Sequence, residues 1–337
     1  MENTANALVL LANFVLLPAL SYGSQLALGA LGITLIFGVL RFSNFAHGDT
    51  MAWGAMITIL LTWVCQNAGI SIAPLPTALL ALPAACAVTA VVVVLMDKVV
   101  YAHYRRQRSP PIVFLMVSIG VMFVMNGVVR FIIGVDEIRF ADGLRFVITA
   151  GEFREMFGLR EGLAVRVSQL LAIGAAVVLA AALFLFLQKT KIGKAMRAFA
   201  DNDRLALLSG IDQNRVIMMT WILAGVLATV AGVLYGLDKS FKPFTYFQLL
   251  LPMFAAAIVG GFGKPAGAIA GGYIIAFSEV GLTYAYKKFL GYLLPASWAP
   301  EGLAQLLSTD YKFAVSFAIL VLTLLIRPTG IFRGRVI

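Results

Sequence analysis

His47 lies in the stretch RFSNFAHGDT, Arg41 to Thr50, and is one of two histidines in the chain, the other being His103. An imidazole serves as a general base, a metal ligand or a hydrogen-bonding turn residue. Neither histidine has a His, Cys or carboxylate cluster around it at ligand spacing, so no metal site is expected. Hydrogen bonding within a turn is the default expectation for His47. Glu279, in AIAGGYIIAFSEVGL, is the one acid well inside an apolar run. A charge there is costly, and it either lines a wet path or makes a packing hydrogen bond, for which Arg130 or a tyrosine would serve. With no Ser–His–Asp arrangement and no paired carboxylates inside apolar sequence, an enzyme is not expected. GGFGKP, 260–265, imitates a phosphate loop but fails it twice. Lys264 is followed by Pro265 instead of Ser or Thr, and Ile258 stands where the first glycine is required.

The elements that must position these residues are set by composition. Hydrophobic residues make up 61% of the 337 and charged residues 12%. A soluble domain cannot hide so much apolar surface, whereas a bilayer accommodates it. One crossing takes about 20 mostly apolar residues. Such runs occur near 10–40, 50–68, 75–96, 112–133, 168–187, 216–237, 249–284 and 312–326. The first and seventh are too long for one simple crossing, and each is expected to hold two spans or a broken helix. The expected fold is an all-α polytopic membrane protein of about eight transmembrane helices with broken or re-entrant segments. No hydrophilic stretch is long enough for a soluble domain, so residues 1–337 form a single transmembrane domain. The start, MENTANALVL, reads as mature sequence rather than a signal peptide. Cys65 and Cys86 read as buried spectators.

Two places inside apolar sequence are broken by small and polar residues: NFAHGD at 44–49 and GGFGKPAGAIAGG at 260–272. Each precedes a run that can be helical, with Asp49 placed as an N-cap in one and Pro265 in the first turn of the other. They occupy corresponding places in the two halves of the chain, which suggests an internal pseudo-repeat. Paired interruptions of this kind point to a binding path, because half-helix N-termini present free N–H groups inside the membrane. Tight turns joining spans are the alternative, and charge does not decide between them. On the path reading, the candidates are Asn44, His47, Gly48, Asp49, Gly261, Gly263, Gly267 and Glu279. Small residues in GVLYG (232–236) and GAIAG (267–271) are explained by helix packing alone.

Lys and Arg are concentrated in 97–111, in 188–215 and in the tail with Arg327, Arg333 and Arg335, which the positive-inside rule places in the cytoplasm. The segment 134–166 balances five arginines with six acids and belongs outside, as does 286–312. A net charge of +10 suits anionic lipid and cytoplasmic partners, and without a soluble basic domain it gives no support to nucleic-acid binding. The loop TKIGKAMRAFADNDRLALLSGIDQNRVI, 190–217, contains good helix formers. Its Ala198, Ala206, Leu207, Leu208 and Ile211 are more apolar than a connector requires, which favours docking against a partner.

Several blocks in order resemble a known family: RFSNFAHGD, TKIGKAMRAFADNDRLALLSGID, GVLATVAGVLYG, AAAIVGGFGKPAGAIAGGYIIAFSE and FAVSFAILVLTLLIRPTGIFR. Together they are similar to the LivH-type permease subunits of branched-chain amino acid ABC importers, over nearly the whole chain. The resemblance implies a multi-pass inner-membrane permease with a cytoplasmic C-terminus, importing branched-chain or hydrophobic amino acids. Permeases for urea, short amides or other amino acids share these blocks, and an ion-coupled carrier is the rival from another class. The implied partners are a second permease of LivM type, two cytoplasmic ABC ATPases that use ATP and Mg, and a periplasmic binding protein. The chain itself would bind no cofactor. The loop at 190–217 matches the family's coupling segment, with Gly193, Ala195, Arg197, Ala198, Ala206, Leu208, Gly210 and Ile211 as coupling candidates. It lacks the Leu-Pro ending common in other ABC permeases.

Overall fold

Helix α1, Glu2–Leu40, is the hub of the bundle, and it is buried along nearly its whole length from Ala19 onward. Its apolar residues run all round the helix, the pattern of a span enclosed by other spans. Glycines on three sides let neighbours close in: Tyr273 crosses Gly23, Met253 crosses Gly29 and the His47 ring lies over Gly32. The apolar run at 10–40 therefore belongs to one continuous helix, with a π-helical turn at Ala12–Leu16, and not to two spans.

The computed structural model describes residues 2–294 and 302–332. Residues 295–301 of the expected outer segment, and Arg333 and Arg335 of the basic tail, lie outside the described residues. The remaining helices are α2 His47–Asn67, α3 Ala78–Arg106, α4 Pro111–Ile133, α5 Ala150–Phe157, α6 Val167–Lys189, α7 Lys191–Asp201 and α8 Asp203–Leu208. They continue with α9 Gln213–Lys239, α10 Pro243–Gly260, α11 Pro265–Thr283, α12 Lys287–Leu293 and α13 Lys312–Ile326. Among the described residues, nine helices are long and apolar enough to cross a membrane. The ninth arises because the 249–284 run divides into α10 and α11. Backbone hydrogen bonding inside each helix is what permits such spans in hydrocarbon.

The contacts between connections sort the bundle into two ends. At one, Asn6 Oδ1 accepts from the backbone of Arg160 and Glu161 at 3.0 Å, Tyr292 donates to Glu161 at 2.9 Å, and Ile138 pairs with Phe241. Asp142 accepts from Thr77 N at 2.7 Å and Gln66 Nε2 at 2.9 Å there. Burial alone would raise the Asp142 carboxyl, but these hydrogen bonds outweigh it and hold the group below the usual carboxylate range. This end also carries the short ladder of β1 Phe146–Ile148 with β2 Val165–Arg166, and α5 with its Thr149–Glu152 capping box. The opposite end gathers the 107–110 turn, the 190–212 segment and the tail, so the basic loops share one face, as the charge pattern predicts. Arg41 marks that basic face by donating to the Ala200 carbonyl at 2.8 Å.

α3, α4, α6 and α13 form the periphery, with large apolar side chains exposed, including Val91, Phe123, Val178 and Leu325. Cys65 and Cys86 are both free.

Candidate functional site

The two breaks are built differently. At the first, Arg41 ends α1 in the left-handed region (φ 61°), with its N–H on the Phe37 carbonyl. The chain then turns back into the bundle in irregular form. Asn44 Oδ1 accepts from Ala46 N at 3.1 Å and from the Tyr101 hydroxyl at 3.3 Å, and Phe45 N donates to Ser118 Oγ at 3.1 Å. Helix α2 starts only where His47 meets Gly32, eight residues from the end of α1, which is about 12 Å deep at 1.5 Å per residue. Two residues on, Asp49 Oδ1 accepts from Asn126 Nδ2 at 2.6 Å. Asn126 lies fifteen residues into α4, about 22 Å by the same measure. The first break is a re-entrant segment that delivers a helix N-terminus to the bundle interior.

Two expectations are corrected at this point. The N-cap of α2 is Ala46, without a side-chain cap, and Asp49 sits in the first turn with its side chain on a different helix. His47 Nε2 makes no turn hydrogen bond, because the ring is turned away into the α1 groove at Gly32. Gly48 is required by close approach, since a Cβ there would stand 2.7 Å from the Tyr246 carbonyl oxygen. Asn44, His47 and Asp49 are all buried, and Asn44 Nδ2, His47 Nε2, Asp49 Oδ2 and Trp53 Nε1 have no hydrogen-bond partner among the described residues. Each such atom costs about 1–3 kcal/mol, so a cluster of them marks a polar site rather than a packing core.

The second break is a tight turn on the basic face. Gly261 (φ 105°) and Gly263 (φ 79°) take backbone angles that side chains resist. Gly263 Cα lies 3.8 Å from where a Cβ on Gly38 would stand, close to the end of α1. The tail closes over the turn through Ile331 N on the Val259 carbonyl at 2.8 Å and Phe332 N on the Gly260 carbonyl at 3.3 Å. Helices α10 and α11 meet backbone to backbone: a Cβ on Gly267 would fall 2.2 Å from the Gly260 oxygen, and one on Gly271 2.0 Å from the Ala256 oxygen. Pro265 occupies the first turn of α11, as expected from sequence. Gly261, Gly263 and Gly267 therefore build a helical hairpin and are not brought to the first break's polar cluster. The two breaks are not equivalent halves of a repeat.

Glu279 is fully buried, accepts from the Ser316 hydroxyl and lies 3.6 Å from Lys312 Nζ, which itself sits 3.7 Å over the Tyr22 ring. It ties α11 to α13 and α1; of the partners expected from sequence, Arg130 is not involved, whereas a tyrosine, Tyr22, stands beside the Glu279–Lys312 pair. Arg130 instead lines a small recess of about 190 Å³ with Asp49, Asn126 and Phe247.

Sequence reading missed the surface next to the first break. A groove of about 600 Å³ runs between α4, α10 and α13, lined by Phe45, Phe247, Phe254, Phe262, Phe317 and Leu320, with Ser43 and Gln248 as polar members. Phe247 lines both the groove and the Asp49 recess. The aromatic walls are continuous: Phe45 and Phe254 are 5.2 Å apart between ring centres, and Phe37 and Phe262 4.2 Å. Isolated phenylalanines in apolar spans give no signal in sequence, since only packing collects them.

On the basic face, Thr190 caps α7 by accepting from Gly193 N at 2.9 Å, and Asn202 caps α8 by accepting from Leu205 N at 3.1 Å. A Cβ on Gly193 would stand 2.2 Å from the Phe186 carbonyl, so this glycine lets α7 fold against the end of α6. Gly193 and Ala206 are buried, Ala195 and Ile211 half-buried, and Arg197, Ala198, Leu208 and Gly210 exposed. Ala206 therefore holds α8 to the bundle. The surface it presents is Leu205, Leu207 and Leu208, the last 85% exposed. Gly210 (φ 77°) turns the chain into α9, with open space around it.

The family model for the permease component of the branched-chain amino acid transport system matches residues 15–324. The chain is 30% identical over 323 residues to the high-affinity branched-chain amino acid transport system permease protein LivH of Escherichia coli (strain K12), covering 93% of this chain and 92% of that protein. It is 29% identical to BraD of Pseudomonas aeruginosa, a permease protein of the same description, with 95% of both chains covered. It is 31% identical to the probable branched-chain amino acid transport permease protein LivH of Methanocaldococcus jannaschii, covering 94% of this chain and 91% of the relative. No solved structure matches. With a model matched from the first span into the last and relatives covered over more than nine-tenths of both chains, the chain belongs to the branched-chain amino acid transport permease family.

Proposed function

We propose that this chain is the inner-membrane permease subunit of an ABC importer that moves branched-chain and other hydrophobic amino acids inward. The observation that carries this reading is the phenylalanine-lined groove of about 600 Å³ lying against the buried polar break at Ser43–Asp49. Apolar walls with a few fixed polar groups suit an aliphatic side chain joined to a zwitterionic head. The walls supply the side-chain contact, and the N-terminal turn of α2, with Asn44, His47 and Asp49 beside it, supplies polar contacts for the head group. Urea and short amides would leave the aromatic walls without a partner, which disfavours them as cargo.

The basic face is assigned to the cytoplasm by its Lys and Arg excess, so the tail is cytoplasmic and the 134–166 loop external. There α7 and α8 form the contact with a pair of ABC ATPases, which bind ATP and Mg in their own chains. Leu205, Leu207 and Leu208 supply the apolar knob of that contact. A second permease of LivM type completes the pathway, and a periplasmic binding protein delivers cargo to the external face.

The test is uptake into proteoliposomes holding the assembled complex, with labelled leucine against labelled urea, with and without ATP. ATP-dependent leucine uptake is expected. Urea transport under the same conditions would overturn the substrate assignment, and uptake by this chain without the ATPases would overturn the importer reading.

A further inference from the structure

At the basic end of α3, a π-helical turn at Asp97–Tyr101 brings the Asp97 carboxylate inward. Arg105 Nη1 and Nη2 each donate to it at 2.9 Å and Trp221 Nε1 donates at 2.8 Å. That carboxylate accepts three hydrogen bonds and its charge is matched by Arg105. Beside it a cavity of about 490 Å³ opens between α3 and α9, with Lys98, Arg106 and Arg215 at its rim and Val94 and Met218 on its wall. Arg215 is engaged by Asp212 at 3.2 Å. Lys98 and Arg106 are exposed and have no ion pair among the described residues. Two cations thus remain uncompensated once every carboxylate at the cavity has been assigned.

The approach to the cavity is apolar. Val91, Leu95 and Val99 on α3 are 59%, 53% and 74% exposed, as expected of a surface that faces hydrocarbon. A cationic rim at the end of a lipid-facing apolar wall matches a ligand with an anionic head and apolar chains. Clusters of Lys and Arg at the end of a span bind such heads at about 1 kcal/mol per cation.

We propose that the α3–α9 cavity is a binding site for the phosphodiester head of an anionic phospholipid, held by Lys98 and Arg106, with its acyl chains along α3. Because α9 follows directly from α8, the bound lipid braces the helix that carries the α7–α8 element. The site stands whether or not the substrate assignment above holds.

Trp221 borders the cavity and provides the readout. The full chain carrying Trp53→Phe, Trp63→Phe and Trp298→Phe is reconstituted in phosphatidylcholine vesicles containing a minor fraction of brominated phosphatidylglycerol, or the same fraction of brominated phosphatidylcholine. Stronger quenching of Trp221 by the anionic lipid is expected. Lys98→Gln with Arg106→Gln should lower the relative affinity about 30-fold, from two cations at about 1 kcal/mol each. Lys98→Arg with Arg106→Lys should keep the preference. If the glutamine pair does not fold, Arg106→Gln alone, at an exposed helix end, should still lower it. Equal quenching by the two lipids, or a preference untouched by the glutamine variants, would overturn the proposal. So would relief of the quenching by inorganic phosphate, which would assign the site to a free anion. Loss of ATPase capture in the glutamine pair with an unchanged lipid preference would assign it to a protein contact and overturn it too.

Discussion

The breaks at 41–46 and 261–264 look alike in sequence, small and polar residues between apolar runs, yet they do opposite things. The first leaves the basic face and carries polar side chains to a helix start inside the bundle, where four buried polar atoms have no partner among the described residues. The second stays on the basic face, and among the described residues at 260–267 no buried side-chain polar atom lacks a partner. Glycine serves both, but at Gly261 and Gly263 for backbone angle and at Gly267 and Gly48 for close approach. The difference teaches that an interruption becomes a site when polar groups go inward with it, and a hinge-like connection when only the backbone bends.

The comparison is broken most severely at the hairpin. Gly267→Val drives a side chain into the Gly260 carbonyl, so the loss of stability should reach about 3 kcal/mol or more, with folded yield and thermal unfolding as the measurement. A stable, monodisperse variant would refute the backbone-contact account of the second break. At the first break the expected loss is in transport. Asp49→Ala leaves Asn126 without its acceptor, and leucine uptake should fall about 10- to 100-fold while the complex still assembles. Unchanged uptake would return the polar cluster to a packing role.

A smaller effect belongs to the groove. Phe247→Ala should raise the KM for leucine about tenfold, because one apolar wall is worth about 1–3 kcal/mol. An unaltered KM would move the cargo surface elsewhere. Smallest of all, exposed Lys264→Ala should change stability by less than about 0.5 kcal/mol and leave uptake as it was. A transport defect there would give the second break the role denied to it here. Gly48→Leu and Gly263→Leu are poor probes of the path, since Gly48 touches the Tyr246 carbonyl and Gly263 is left-handed.

Span positions and the shared basic face were legible in sequence, because hydropathy and charge are additive along a chain. Pro265 in a first helical turn was legible for the same local reason. That 249–284 divides while 10–40 stays one helix was not legible, since both runs read alike. Other readings failed where a partner from distant sequence decided the outcome. Asp49 looked like an N-cap, but its side chain is taken by Asn126 on another helix. Ala206 looked like a docking residue, but α8 turns it toward the bundle and leaves Leu208 outside. Glu279 looked as free to line a path as to pack, and the partners that tie it down, Ser316 and Lys312, lie more than thirty residues on and gave no signal beside it in sequence.

By itself the sequence determined that this is a membrane-embedded helical protein with a basic face, since a run of apolar side chains has one solvent that suits it and a cluster of cations has one side. The ordered blocks carried its family. Only the tertiary structure decided which interruption enters the bundle, because depth follows from the neighbours a residue meets. It also gathered the phenylalanines of two helices and both breaks into one groove, a surface with no counterpart along the chain.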